Sequence, residues 1–190
     1  MMPVTAADLL PIEEFVAKRP ALQREAMAAT GVRRLAVGPN MTLLFENRQT
    51  VWWQVQERCR VEQIRAPAAV QHELDTYNAL LGTPDELSAT LLVEYPEPVE
   101  RDRMLKALVG LHDHVWMEVG GTRIAGRFDG EQFNDQRISS VQFVRFLLGT
   151  WRAAFLDFQQ SVVVVVDHPA YSVRVGVTGA LRGALTEDLS

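Results

Sequence analysis

The sequence predicts an α+β fold, a largely antiparallel sheet of about eight strands with helices inserted between them. Three observations point there. Hairpin signals recur: "RRLAV" and "MTLLFEN" flank the turn cluster "GPN", and "DHVWMEV" and "TRIAGRF" flank Gly120-Gly121, a pair able to take the positive φ angles of a two-residue turn. The last strand-like pair differs in texture. "SVVVVVDHP" reads as a strand buried on both faces, whereas Tyr171, Val173, Val175 and Val177 alternate with Ser172, Arg174, Gly176 and Thr178 as in a half-exposed strand. Finally, segments with helical spacing separate the strand-like ones.

Each element follows in order. Thr5 with Asp8 resembles a capping start, and helical spacing continues through "PIEEFVAKRPALQREAMAATG". Pro20 is expected to split this stretch, since proline removes a donor and clashes one turn back; Gly31 stops it. After the first hairpin come helices near residues 49–62 and 68–81, broken at Ala66-Pro67. "ELSATLLVEY" is a strand closed by Pro96 and Pro98, and a helix near 99–109 ends at Gly110. The loop "DGEQFNDQ" is polar and expected to be mobile; "ISSVQFVRFLL" is the next strand. A helix carrying Trp151, Phe155 and Phe158, the final strand pair and a short helix complete the chain. No internal repeat or linker divides it, so one domain over residues 1–190 is expected, with 1–31 as an N-terminal helical segment.

Composition narrows the function. The chain of 190 residues is 47% hydrophobic, and its net charge of −5 disfavours nucleic acid, whose phosphates call for a basic face. Arg33-Arg34 is too small a cluster to reverse that. Cys59 is the single cysteine, which excludes an intramolecular disulfide and fits a reducing cytoplasm. Leu9-Leu10 runs at once into Pro11 and Glu13-Glu14, unlike a secretory signal, and Val162 to Val166 is far too short to span a membrane. A cytoplasmic protein follows as the expectation.

The stretch "QHELDTYNALL" gathers the most polar chemistry. On a helix Val70, Leu74, Tyr77 and Leu81 share an apolar face, and His72 and Asp75 lie one turn apart, a spacing that can place two ligands on one metal. The plainer reading, a solvated helix face, leads because no further ligand pair accompanies them. His112 and His114, expected on one side of an extended strand, are a second weak metal candidate. No metal or other cofactor is therefore expected.

Glu73 sits at the border of the apolar face. On the preceding helix Val51, Val55 and Cys59 form an apolar strip, with Gln54, Glu57 and Arg58 on the other side. An antiparallel helix pair can bring Glu57 and Glu73 together, and close carboxylates supply an acid and a base. Pairing of each with an arginine is the preferred alternative. Arg145, on the strand face of Val141, Phe143 and Leu147, must find an acceptor or reach water, and its fork suits a carboxylate or phosphate. Asn47 is a plausible helix N-cap with Arg48 beside it. Cys59 is expected to be packed rather than nucleophilic. Trp52 and Trp53 are adjacent, so one of them is expected to be exposed and available as an aromatic anchor or dimer contact.

"TLLFENRQTVWWQVQE", "QHELDTYNALL", "TPDELSATLLVE" and "RISSVQFVRFLL" together resemble an uncharacterised bacterial family known only as a domain of unknown function, over Leu9 to about Leu148. The resemblance implies genes lying beside those for rubrerythrin-like proteins and heterodisulfide-reductase-like iron–sulfur oxidoreductases, hence a role near peroxide handling or electron transfer. A chain with one cysteine cannot itself hold a four-thiolate cluster. The resembling segments contain Glu46, Asn47, Arg48, Gln54, Glu57, His72, Glu73, Asn78, Gln142 and Arg145. Arg48, Arg145, Gln142 and Asn78 are the expected ligand contacts, in a pocket between the helix pair and the sheet. Three functions stay open. The leading one is a non-catalytic accessory protein of a cytoplasmic redox or stress system, binding a redox protein or small anion, with a homodimer as an open further partner. The others are an enzyme using Glu57 and Glu73 with the arginines orienting an anionic substrate, and a mononuclear metal protein.

Overall fold

The computed structural model describes residues 1–128 and 136–190. Eight strands form one antiparallel sheet: β1 (Arg34–Ala36), β2 (Met41–Phe45), β3 (Glu86–Val93), β4 (Val115–Val119), β5 (Thr122–Phe128), β6 (Val141–Leu147), β7 (Val162–His168) and β8 (Tyr171–Gly176). Their order is β1-β2-β3-β6-β5-β4-β7-β8, so the α+β expectation holds and most sequential strands pair as hairpins. The expected polar loop lies, apart from Gln136, outside the described residues.

β5 is the corner of the sheet. Its first half, Thr122 to Ala125, pairs with β4, and Gly126 to Phe128 pair with β6. A Cβ at Gly126 would come within 2.9 Å of Val144 Cγ2 and 3.0 Å of the Val115 carbonyl, so only glycine lets the two halves approach. The bend coils the sheet into a near-barrel. Across its opening the Tyr171 hydroxyl of β8 donates to the Val37 carbonyl (2.6 Å) and accepts from the Asn40 amide (3.1 Å), tying the last strand to the first hairpin.

Alternation decides what fills the interior. Met41, Leu43 and Phe45 of β2, Leu87, Leu91 and Val93 of β3, and Val144 and Phe146 of β6 point inward, as do Val115, Met117 and Val119 of β4. Helix α4 (Pro98–Ala107) adds Leu105, the short α5 (Arg152–Leu156) adds Phe155, and α6 (Gly179–Asp188) adds Leu181 and Leu185. In β7, Val162, Val164 and Val166 face this core, while Val165 is buried on the other face and Val163 only half-buried.

Helix α1 (Ile12–Val32) packs against α2 (Arg48–Val61), and a second, smaller core between the N-terminal segment, α2 and α3 (Pro67–Asn78) is built from Val4, Val51, Val55, Cys59 and Leu74. The expected break at Pro20 does not occur: α1 runs through it. Pro20 and Val16, whose carbonyl loses its partner one turn back, both face solvent, so the freed acceptor is not stranded in the core. The expected start at Thr5 is a 3-10 turn, Ala6–Asp8, with the reciprocal Thr5–Asp8 cap in place. No helix among the described residues is long and apolar enough to cross a membrane.

Candidate functional site

The polar residues singled out in the sequence mostly sit where α1, α2 and α3 meet one another and the outer face of β2, β3 and β6. Asn47 caps α2: its side chain accepts from the Thr50 amide (3.0 Å) and the Thr50 hydroxyl accepts from the Asn47 amide (3.0 Å). This capping aims Arg48 outward. Its Nη2 lies 2.7 Å from Asp8 Oδ1, and its Nε has no hydrogen-bond partner among the described residues. The Thr5 amide and hydroxyl, then Arg48, pull the Asp8 carboxyl down to about 2. An open cavity of about 430 Å³ lies here, lined by Asp8, Asn47, Arg48, Gln49 and Trp52.

Glu57 turns toward α1. Its oxygens lie 2.7 Å from Arg19 Nε and 2.8 Å from Arg60 Nη2. Burial pushes this carboxyl up, but the hydrogen bonds and charges of Arg19 and Arg60 outweigh it, and the net shift is downward. Glu73, only 14% exposed at its side chain, lies 3.6 Å from Arg58 Nε. The arginine pairing weighed for both carboxylates is thus what the geometry displays.

Asn78 and Arg145 work at the same end of α3. Asn78 Nδ2 donates to the Val4 carbonyl and its Oδ1 accepts from the Val4 amide, both at 2.8 Å, pinning the N-terminal segment. Arg145 Nη2 donates to the Ala79 carbonyl at 2.5 Å, and the Ser88 hydroxyl to Leu80 at 2.5 Å. Strand β6 and strand β3 therefore both satisfy carbonyls that the helix end leaves open. Gln142 is elsewhere. It is fully buried on the inner face, opposite Leu91, with Nε2 donating to Ser139 O at 2.9 Å. Arg145 is an odd number of positions away and points outward, so the strand parts the two.

His72 and Asp75 are exposed, and Asp75 Oδ1 accepts from Gln71 Nε2 at 2.8 Å. His112 and His114 do not share a strand. His112 lies in the 3-10 turn Leu111–Asp113, and His114 precedes β4 with Nδ1 3.2 Å from Asp167 Oδ1. Asp167 also accepts from Trp116 Nε1 (3.0 Å) and Arg123 Nη1 (2.8 Å). No group of three or more His, Cys, Asp or Glu is placed to share a metal among the described residues. Trp52 and Trp53 both reach Phe15, with ring centres 6.1 and 5.5 Å away, because α1 lies across α2 and covers adjacent positions. Cys59 is 4% exposed and borders an open, mostly apolar cavity of about 300 Å³ with Leu9, Gln56, Ile64 and Val70. Burial, then the Glu73 charge, raises its thiol, with Arg58 opposing.

Two buried charges escaped the sequence reading of their surroundings. Glu46, 3% exposed, accepts from the Thr50 hydroxyl (2.6 Å), Gln54 Nε2 (3.0 Å) and the Thr90 hydroxyl (2.7 Å), all neutral donors. Arg182 on α6 is likewise 3% exposed. The signal for Arg182 was a cation inside "ALRGAL", a short helix otherwise apolar.

A search of curated proteins gives no match. Among solved structures, a crystal structure described as a novel protein of unknown function from Burkholderia pseudomallei K96243 is similar over 100% of both chains, at 29% identity and a TM-score of 0.92. A family model described as "Protein of unknown function (DUF3501)" matches residues 3–189, and the chain belongs to that family.

Proposed function

We propose that this chain is a non-catalytic accessory protein of a cytoplasmic redox or stress system, acting by binding a redox protein or a small anion. The observation that carries the reading is the clamp on Glu57. A general base or acid needs a carboxyl whose proton affinity lies near the working pH, and Glu57, held between Arg19 and Arg60, is shifted the other way. Glu73 beside Arg58 has the same kind of partner. Asn78 and Arg145 are occupied in fastening α3 and the N-terminal segment. These residues build a scaffold, which suits a protein that presents a surface or a pocket. The redox setting rests on the family resemblance alone.

The test is reconstitution with a rubrerythrin-like protein. The chain is expected to consume no peroxide alone, to form a complex with that partner and to alter its turnover. Peroxide consumption by the chain alone, abolished in Glu57→Gln or Glu73→Gln, overturns the reading in favour of an enzyme. Absence of any complex or rate effect removes the redox partner.

A further inference from the structure

Three features stand apart from the carboxylates and arginines discussed above: the His114–Asp167 pair, the cavity beside Cys59 in the helix layer, and the neighbourhood of Arg182. The first is half-buried, and its carboxylate already accepts from Trp116 and Arg123. The second offers a thiol whose proton is held more tightly than usual. The third has unmet hydrogen-bonding capacity.

Arg182 stands one turn into α6, and its amide donates to the Thr178 carbonyl at 3.3 Å. Its guanidinium is flanked by aromatic rings, 4.2 Å from the centre of Phe155 and 5.6 Å from that of Phe158. Nη2 donates to the carbonyls of Phe155 and, at 3.3 Å, Asp157. Nε and Nη1 have no hydrogen-bond partner among the described residues, and neither is accessible to water. Among the described residues no carboxylate is ion-paired with the group. Asp157 contributes only at a distance, and its Oδ1 is taken by the Gln159 amide at 2.9 Å. Burial accordingly makes Arg182 easier to deprotonate than an ordinary arginine. A buried guanidinium with unused donors is costly, by several kcal/mol in order of magnitude, unless an anion accompanies it.

The surroundings are arranged for one. Arg182 lines a cavity of about 450 Å³ whose wall also includes Phe158, Gln160, Val162, Thr178 and Gly179. That volume falls in the ordinary range for small-molecule pockets, roughly 300–1,000 Å³. Thr178 and Gly179 begin α6, a helix of 10 residues. Its N-terminus has no side-chain cap bond from Thr178 and no acidic residue in its first turn, so the amides there are open to an acceptor. Phe158 is 62% exposed although its ring lies over the guanidinium, so an outward turn of this one side chain is what would bring the buried donors into reach of the cavity.

We infer that the cavity at the start of α6 is a binding site for a small organic carboxylate, whose charged end meets Arg182 and the amides of Gly179 and Ala180 and whose apolar body lies against Phe158 and Val162. The apolar wall favours a carboxylate with a hydrocarbon tail over inorganic phosphate. The site rests on the binding reading above and supplies its small-anion branch.

Hexanoate is the probe, with hexanamide and inorganic phosphate as its uncharged and tailless counterparts. In the full-length, 15N-labelled chain, hexanoate is expected to shift the amides of Gly179 and Ala180 and the Arg182 Nε resonance saturably. Hexanamide is expected to bind about tenfold more weakly or worse, as is hexanoate to Arg182→Lys. If Arg182→Lys fails to fold, Phe158→Ala decides instead: a several-fold change in hexanoate affinity supports the site and an unchanged affinity overturns it. Hexanoate shifts elsewhere in the chain, or none, overturn the site, and tighter binding of phosphate overturns the ligand class. These failures leave the proposed redox-partner role intact, because complex formation with a rubrerythrin-like protein is read independently.

Discussion

Arg33 and Asp188, 155 positions apart, form a bidentate ion pair in which each side chain is only 10% exposed, with Nη2–Oδ1 at 2.8 Å and Nε–Oδ2 at 3.0 Å. The pair joins the end of α1 to the end of α6, and Asn47 Nδ2 adds a third donor to Asp188 Oδ1 at 3.2 Å. One carboxylate thereby connects the helix layer, the start of α2 and the helix that fills the near-barrel.

Asp188→Ala leaves Arg33 buried without its partner. A destabilisation of about 3 kcal/mol or more is expected, read as a lower urea midpoint. Replacing both members with apolar residues, Arg33→Met with Asp188→Leu, is expected to recover much of that loss because no charge is stranded. Equal losses in the single and double variants would show that the pair's charge is not what the site requires.

Glu57 gives the pH dependence. Its folded-state pKa lies below the ordinary 4.5, because the arginine hydrogen bonds outweigh burial. A depressed carboxylate stabilises the fold fully above its unfolded pKa, and the contribution is lost as pH falls through the folded value. Glu57→Gln is therefore expected to be less stable than the parent at pH 7, with the gap closing as pH drops below 4.5. Paired urea titrations at several pH values check it, and a gap that widens in acid contradicts the clamp.

The strand pattern was legible because alternation and turn chemistry are local. "AYSVRVGVT" alternates in the structure as in the sequence, and Gly120-Gly121 takes positive φ at both positions. What escaped depended on contacts between distant segments. Trp52 and Trp53 cannot face one direction on α2, yet both meet Phe15, because the orientation of α1 is invisible in the α2 sequence. Asn78 and Arg145 were expected in a pocket; their actual partners are the Val4 backbone and the Ala79 carbonyl, and nothing in the local spacing names a backbone acceptor 66 or 74 positions away. His112 and His114 separated because a 3-10 turn replaced the extended start assumed for β4.

Pro20 invites a stabilising change. It sits inside α1 on the solvent face, where the helix continues at the expense of one backbone hydrogen bond. Pro20→Ala restores the donor and a better helix former, and an increase of about 1–3 kcal/mol is expected. Thermal unfolding measures it. A decrease would mean that the proline's rigidity in the unfolded chain outweighs its cost in the helix.

Cys59 is expected to be unreactive in the folded chain. Burial and the Glu73 charge keep the thiol protonated, and the residue is 4% exposed. Labelling with an aromatic disulfide at pH 8 is expected to be slower by about tenfold or more than in urea. Rapid native labelling would make the cavity beside α2 a reactive site instead.

Gly126 carries the sharpest test of the architecture. It lies where β5 leaves β4 and joins β6, and its missing side chain is what admits Val144 and the Val115 carbonyl. A methyl group here cannot be relieved by rotating one flexible side chain, because the carbonyl belongs to the backbone of β4. Gly126→Ala therefore forces the two halves of the sheet apart, which overpacking elsewhere prices at about 1–3 kcal/mol. The same substitution at Gly121 meets no neighbour within 4 Å, although its positive φ adds strain of its own. Loss of stability larger at 126 than at 121 assigns the cost to the close approach of the sheet halves; the reverse order assigns it to turn geometry and removes Gly126 as the residue that permits closure.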